Sequence, residues 1–406
     1  MPNRWVVLSL DGLATAALSA YGSSWNETPA IDRMAAFGTI WDRAILSSDD
    51  SIQVLKNLWD YPVGDQPWLK ACQNSGRTEL FLNSGVQAIQ IAKLAGEIGF
   101  DQCTLVEAIP EGASELPESV AVEETALAKL LLPVMERLGD PAKDWSMLWA
   151  HSDTLTRCWD APRSLFPIDD EEEDDDAPVD QLDWSLDDFG SESLPGSEQE
   201  TASPVATKPP SLFSGSGVPY LSLPADAHPD LITSWMQTYG CQVRLLDRLI
   251  DWLLDLIEPA GGEIGLAVLG TSGFSLGQNG WIGHRAGALR SPQIHVPAVL
   301  WDGQGHGIRV SGVRGVAAVS VWLRPIADEA QAVRPEPADW ANEAAGQQSA
   351  IVTDSLRADR VVTTDEWFFV READRSSLFL KPDDRDDSND VADRCRDIVE
   401  EMESLP

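Results

Sequence analysis

The chain has 406 residues, 43% of them hydrophobic, and a formal net charge of −37. This length exceeds the size of one typical hydrophobic core, so we expect a large domain with a smaller unit attached. The acidic charge disfavours binding to nucleic acid or to an anionic membrane, because both need clustered Lys and Arg.

The N-terminus and the cysteines suggest where the protein works. The first apolar run, residues 5–10, is too short for the core of a signal peptide, and no stretch reaches the roughly 18 apolar residues of a membrane helix. Five widely spaced cysteines, an odd number, disfavour a disulfide framework or a zinc cluster. The sequence therefore predicts a cytoplasmic protein without a membrane segment.

Strands and helices alternate over the first 160 residues. An apolar strand is predicted over 4–10 and ends at Asp11. A helix is expected to begin at Thr28-Pro29, with Thr28 as its N-cap and Pro29 at the first helical position. Further strands are predicted over 39–46, 78–83, 103–108 and 145–151, with helices over 52–59, 86–98 and 123–138, the last kinked or split at Pro133. This alternation predicts parallel crossovers and half of a doubly wound sheet.

The second half of the chain contains a long polar interruption. Residues 167–212 are rich in acids, Pro and Ser, and we expect them to form a disordered surface insertion, either a solvated tether or a docking segment. A helix is predicted over 229–257, a strand over 264–270, a Gly-rich loop over 277–287 and a strand over 296–301. We expect an α/β domain over 1–325 and a small α+β subdomain over 326–406, with antiparallel strands and a terminal helix over 389–402.

Four separated motifs, taken in their order and spacing along the chain, carry a resemblance to a known family. They are Ser9-Leu10-Asp11-Gly12 with Tyr21-Gly22 and Thr28-Pro29-Ala30-Ile31-Asp32-Arg33; Thr271 to Gly280; His295-Val296-Pro297; and Trp367 to Val370 with Leu378 to Ala392. Through these motifs the chain resembles the sulfatase family of the alkaline phosphatase superfamily. The resemblance implies a doubly wound, mostly parallel sheet with helices on both faces, and hydrolysis of sulfate or phosphate esters at a divalent cation.

Most of the site implied by that resemblance is absent from the sequence. Asp11 matches the first aspartate of the family, but Gly12 stands at the second, and Thr271 and Ser272 replace an Asp-His pair. The nucleophile segment reads DDSIQ over 49–53, with no Cys, Pro or Arg. A further family His falls near Thr156. Hydroxyl groups are weak ligands for a hard divalent cation, so tight binding through the inherited ligands is not expected.

Two groups of residues could rebuild a site. Asp49 and Asp50 stand where the nucleophile belongs, and with Asp11 they could bind Ca²⁺ or Mg²⁺; the alternative is that they cap the following helix. His284 and Arg285 lie in the Gly-rich loop and could bind an anion, or His284 could be a structural or exposed residue.

Two functions remain open at this point. The first is a catalytically impaired sulfatase-like protein that binds an anionic small molecule or a protein partner in the inherited cleft. The second is an active metal-dependent hydrolase of an anionic ester, with Asp11 and Asp49 or Asp50 as metal ligands and Asp49 and His284 as catalytic candidates. Fold alone does not decide between them.

Overall fold

A nine-stranded mixed sheet organises the protein. The computed structural model describes residues 2–63, 66–109, 118–142, 144–166, 209–224, 227–284, 289–323 and 350–405. Its strands are β1 (Arg4–Leu10), β2 (Thr39–Ile45), β5 (Arg77–Asn83), β6 (Gln102–Val106), β7 (Trp145–Ser152), β9 (Ile264–Gly270), β12 (His295–Val296), β13 (Ala298–Trp301) and β14 (Ile308–Gly315). The strand order is β14-β2-β13-β9-β1-β7-β5-β6, and β12 pairs with β2 on the same side as β13.

Strand β1 lies in the centre of this sheet. It pairs in parallel with β7 on one side and with β9 on the other. Every β1 residue after Arg4 is buried, as expected for a strand covered on both faces. Because β1, β7 and β9 run in the same direction, the residues that follow them meet at one edge of the sheet.

Helices cover both faces. The helices are α1 (Pro29–Phe37), α2 (Ser51–Trp59), α3 (Trp68–Ser75), α4 (Val86–Ile98), α5 (Ala126–Gly139), α6 (Thr154–Arg157), α7 (Asp230–Ile257), α8 (Ser291–Ile294), α9 (Ser320–Leu323) and α10 (Arg396–Ser404). One face of the sheet packs against α1, α5 and α7, and the other packs against α2, α3 and α4 with the buried rings of Trp59 and Trp68. The predicted doubly wound, mostly parallel fold is confirmed.

Helix α1 is capped by a side chain from another helix. The backbone N–H groups of Ala30 and Ile31 donate to the two carboxylate oxygens of Asp247, on α7, at 3.1 and 2.9 Å. Thr28 occupies the N-cap position, but its hydroxyl bonds with Ser19 instead. The predicted N-cap position of Thr28 and first-turn position of Pro29 are confirmed, while the acceptors for the first N–H groups come from the buried Asp247 carboxylate and not from the Thr28 hydroxyl.

The small antiparallel subdomain is also confirmed. Its sheet has the order β15-β16-β17-β18, formed by Ile351–Val352, Arg360–Thr363, Trp367–Glu372 and Arg375–Leu380. One face of this sheet joins the core of the large domain through Phe368 and Phe379. The other face packs with Met402 of α10.

The structure corrects several predicted elements. Helix α5 continues through Pro133 unbroken, because its buried apolar face holds it against the sheet. The Gly-rich loop contains strand β11 (Trp281–Gly283), which joins β10 (Ser275–Leu276) to β8 (Leu221–Ser222). The terminal helix begins later than predicted, and β14, α3 and the short β3 (Pro62–Val63) and β4 (Gln66–Pro67) were not predicted.

The remaining predictions concern segments and thiols. All five cysteines are described, and each is a free thiol. No helix in the described ranges has both the length and the apolar character needed to cross a membrane. Residues 167–208 of the predicted insertion, and the predicted domain boundary at 325–326, lie outside the described residues.

Candidate functional site at the carboxyl ends of the central strands

Asp11 lies at the edge where the central strands end. Its carboxylate is buried, and the Thr271 hydroxyl, from the segment after β9, donates to Oδ1 at 2.5 Å. On the other side, Nε2 of His151 lies 4.0 Å from Oδ2. Asp11 is therefore held by one neutral donor and faces one imidazole.

His151 is oriented by a chain of hydrogen bonds inside the sheet. The Trp149 indole N–H donates to the Ser9 Oγ atom at 2.7 Å, and Ser9 lies 3.0 Å from His151 Nδ1. Which of Ser9 Oγ and Nδ1 donates in this contact depends on the tautomer of the ring. The Nε2 atom has no hydrogen-bond partner among the described residues, and it is directed toward Asp11.

Asp49 is neutralised by the small subdomain. Arg357 Nε donates to Asp49 Oδ2 at 2.8 Å, and the Ser355 hydroxyl donates to the same oxygen at 2.7 Å. Ser355 also accepts the Arg357 backbone N–H at 3.0 Å, which fixes this short loop. The carboxylate at the predicted nucleophile position is thus engaged by a guanidinium.

Asp50 has a different neighbourhood from Asp49. It is the N-cap of α2, and its Oδ1 accepts the Ile52 backbone N–H at 3.0 Å, as the capping interpretation requires. Its residue is exposed. Among the described residues, no hydrogen bond joins Asp50 to Asp11.

His284 is within electrostatic reach of Asp11 and of Arg357. Burial lowers its pKa, the Asp11 carboxylate acts to raise this pKa, and Arg357 acts to lower it. The ring also makes an edge contact with Phe274 at a centroid distance of 6.0 Å. At neutral pH His284 is therefore a neutral donor and acceptor within the electrostatic reach of Asp11 and Arg357. Arg285, its predicted partner, lies outside the described residues.

A small polar cavity adjoins His151. Asn83 and Asp153 line it, and Asn83 Oδ1 and Asp153 Oδ1 have no hydrogen-bond partner in the described part of the chain. Burial raises the pKa of Asp153, while Arg157, 3.1 Å away, opposes that rise. Its volume of about 10 Å³ is close to the minimum for one water molecule, which these polar atoms could bind.

The chain is similar in fold to solved ester hydrolases. It matches BT4656, solved with its substrate D-glucosamine-2-N,6-O-disulfate, at a TM-score of 0.64 and 14% identity, over 100% of this chain and 97% of the other. It matches BT1596, a 2-O GAG sulfatase, at a TM-score of 0.62 and 12% identity, over 100% of this chain and 91% of the other. It matches the phosphonate monoester hydrolase of Agrobacterium radiobacter at a TM-score of 0.61 and 15% identity, over 98% of this chain and 93% of the other.

The chain has a sulfatase-like fold. The predicted resemblance is confirmed at the level of the fold. No family model matches the chain, and no curated protein matches it by sequence.

In this sulfatase-like chain, three positions that the resemblance aligns with functional side chains of the family lie together. Gly12 has a φ of +80°, and a Cβ atom there would lie 2.5 Å from the Thr156 side chain. Gly12 N–H also donates to the Ser272 hydroxyl at 2.8 Å. Positions 12, 156 and 272, which resemble the family's Asp, His and His, thus pack and hydrogen-bond around the backbone of Gly12.

The donor set does not fit the divalent cation of the family. Asp11 Oδ1 is engaged by Thr271, and Asp49 Oδ2 by Arg357. Within the described ranges, no group of three or more His, Cys, Asp or Glu side chains is placed to hold a metal ion. Asp11, Asp49 and Asp50 accordingly have separate hydrogen-bond partners.

Two features of the site were missed from the sequence. Arg357 and Ser355 reach Asp49 from more than 300 residues away, and no spacing rule connects them. Ser9 and His151 are direct partners in the parallel β1–β7 pairing. A polar residue near the end of each of two apolar strands is the signal that could have revealed that pair.

Proposed function

We propose that this protein is a sulfatase-like protein without ester hydrolysis, which binds an anionic molecule in the cleft formed by Asp11, Asp49, His284 and Arg357. One observation carries the proposal: the carboxylate at the nucleophile position is engaged by the Arg357 guanidinium and the Ser355 hydroxyl. A carboxylate neutralised in this way is a poor nucleophile and a poor metal ligand.

The surroundings of Asp11 support the same function. Hydrolysis of a sulfate or phosphate ester requires stabilisation of the charge that develops on the transferred group, which the family achieves with a cation. Thr271, Ser272 and Gly12 stand where charged or imidazole ligands are expected, and they hydrogen-bond with Asp11 or with one another. These neutral groups do not supply the positive charge that would stabilise the transferred group.

The anion-binding role comes from the groups that remain. Arg357 is held by its ion pair with Asp49, and His284 contributes an imidazole within electrostatic reach of Asp11 and Arg357. A bound anion favours protonated His284, so we expect affinity to increase as the pH is lowered toward and below the ordinary histidine pKa of 6.5. A protein partner with an acidic side chain would use the same groups.

The test combines turnover with binding. We expect the full chain to hydrolyse 4-nitrophenyl sulfate, phosphate and phenylphosphonate no faster than its Asp11→Ala variant, in the presence of Ca²⁺, Mg²⁺, Mn²⁺ or Zn²⁺. We expect inorganic sulfate to bind more tightly at pH 5.5 than at pH 7.5 by calorimetry, and His284→Gln to remove that difference.

Two outcomes contradict the proposal. Turnover that depends on Asp11 and on a divalent cation would establish the alternative, an active hydrolase with a rebuilt site. Sulfate binding that is absent, or that is unaffected by both His284→Gln and Arg357→Gln, would remove the anion-binding role of the cleft.

A further inference from the structure

The large sheet has two edge strands, and only one of them carries features that prevent pairing with a further strand. Strand β14 forms one edge; it contains Arg309 and Arg314, and its register shifts between Val310 and Val313. Charged side chains and bulges of this kind protect an edge strand. Strand β6 forms the opposite edge and reads Gln-Cys-Thr-Leu-Val, with no charge, no Pro and no register shift against β5. No strand of the described ranges lies on its outer side.

The backbone of β6 shows which residues face outward. The Ser84 N–H donates to the Val106 carbonyl at 2.8 Å, so Val106 directs its backbone groups toward β5. This direction alternates along a parallel strand, so Thr104 also faces β5, while the N–H and C=O groups of Cys103 and Leu105 point outward. In the described part of the chain, no backbone hydrogen bond reaches these outward groups. They can therefore receive an extended strand.

Exposed apolar side chains lie beside this edge. Cys103 and Leu105 are the register neighbours of Leu80 and Leu82 in β5, so they lie on the face of the sheet that α4 covers. Leu105 is 49% exposed, and Ile89, on α4, is 66% exposed. The edge thus combines unpaired backbone groups with exposed apolar surface, and this combination favours association with another β-strand.

We propose that β6 pairs in antiparallel with β6 of a second copy of this chain, which gives a two-fold symmetric dimer with one continuous sheet. A two-fold axis at Thr104 places this residue opposite Thr104 of the second copy, and Cys103 opposite Leu105 of the second copy. Each Cys103–Leu105 pair exchanges two backbone hydrogen bonds, so every outward group of these two residues finds a partner. The inference is independent of the proposed function, since it involves no residue of the strand-end cleft.

The side chains of β6 fit a second copy of the same strand. The two-fold axis brings Thr next to Thr, Cys next to Leu and Gln next to Val, so the strand pairing buries no charged side chain. Helix α4 packs on both β5 and β6, so the two α4 helices approach each other on one face of the joined sheet and add Ile89 to the interface. Pairing uses up both β6 edges, so the assembly closes at two copies.

The dimer should be weak and salt-dependent. Strand β6 contributes five residues from each copy, whereas a stable interface uses about 20–30 residues a side. With the added contact of α4 we expect a Kd on the order of 10 μM. Each copy has a net charge of −37, so raising NaCl from about 50 to about 500 mM should lower the Kd by about threefold or more, because salt screens the repulsion.

Sedimentation velocity on the full chain, over about 1 to about 200 μM, tests the proposal. We expect monomer to convert to dimer over this range, and Leu105→Lys to weaken the dimer by about tenfold or more, because it places a charge on the edge. The matched control is Leu132→Lys, on α5, where the side chain is 56% exposed. It should leave the association unchanged. Circular dichroism of both variants should match that of the parent chain.

A disulfide tests the register. Residues opposite each other in a non-hydrogen-bonded antiparallel pair have Cα atoms about 4.5 Å apart, within the range that a disulfide spans. We therefore expect Thr104→Cys, in a Cys103→Ser background, to give a disulfide-linked dimer on oxidation. Gln102→Cys in the same background should not, since Val106 of the second copy lies opposite it.

Three outcomes would overturn the proposal. The first is a chain that stays monomeric at about 200 μM in about 500 mM NaCl, well above the expected Kd. The second is association that Leu132→Lys weakens as much as Leu105→Lys. The third is a dimer that Thr104→Cys does not link on oxidation, or that Gln102→Cys links equally well, because either result places the contact elsewhere.

Discussion

The ion pair between Asp49 and Arg357 is the contact whose removal tests the interpretation of the cleft most directly. Asp49 is 12% exposed and Arg357 is 30% exposed, so the pair is neither at the open surface nor fully buried. Arg357→Gln leaves the Asp49 carboxylate with Ser355 as its remaining side-chain donor. Asp49→Asn leaves the guanidinium without its charged acceptor.

The expected size follows from this geometry. A hydrogen bond to a charged group contributes about 1.5–3 kcal/mol, whereas an exposed ion pair contributes about 0–1 kcal/mol. We expect each single variant to lower the free energy of unfolding by about 2 kcal/mol. The double variant should lose about 2.5 kcal/mol, because the contact between the two side chains can be lost only once, and the coupling is then about 1.5 kcal/mol.

Urea unfolding at pH 7, followed by circular dichroism, measures these values. Arg375→Gln is the control, because Arg375 is 77% exposed and lies 3.8 Å from Asp390, so it should lose less than about 0.5 kcal/mol. Effects of the two single variants that simply add within about 0.5 kcal/mol would refute the argument that Arg357 neutralises Asp49.

Three further predictions concern single residues. Gly12→Asp puts a carboxylate at the position that the resemblance aligns with a family aspartate. It should lower the free energy of unfolding by about 2 kcal/mol or more, because φ is +80° and the new Cβ would meet the Thr156 side chain. Thermal unfolding of Gly12→Asp and Gly12→Ala should show similar losses of stability if the backbone is the cause. Burial lowers the pKa of His295 to about 4. Between pH 6.5 and 4, His295 therefore takes up a proton in the unfolded chain but remains neutral in most folded molecules. Stability should therefore fall by on the order of 2–3 kcal/mol over that range, and His295→Gln should remove this part of the pH dependence in denaturant titrations at pH 7 and 4.5. Asp50→Ala should lower the free energy of unfolding, measured in urea, by about 1 kcal/mol, because α2 loses its N-cap. An equal loss for Asp60→Ala, at the other end of α2, would contradict this capping role.

Local pattern was enough to predict most of the fold. Strand β9 and helix α4 have the predicted bounds, because an apolar run between glycines and a helix that ends at Gly99 are signals contained in a few neighbouring residues. Strand β14 was not predicted, since its burial is irregular and its pairing with β2 shifts register after Val310.

The site divides in a similar way. The sequence by itself determined which side chains follow the central strands, and the resemblance aligned Gly12 and Thr271 with positions where the family has charged ligands. Parallel strands bring their ends to one edge, so the presence of Asp11 at that edge was predictable.

Only the tertiary structure decided what each carboxylate contacts. Asp11 is bonded to Thr271, 260 residues away, and Asp49 to Arg357, 308 residues away. Contacts at such separations depend on how the small subdomain packs onto the sheet, and no local pattern encodes that packing. For the same reason a cavity of about 620 Å³, between β2, β14 and the small subdomain, could not be predicted from the sequence.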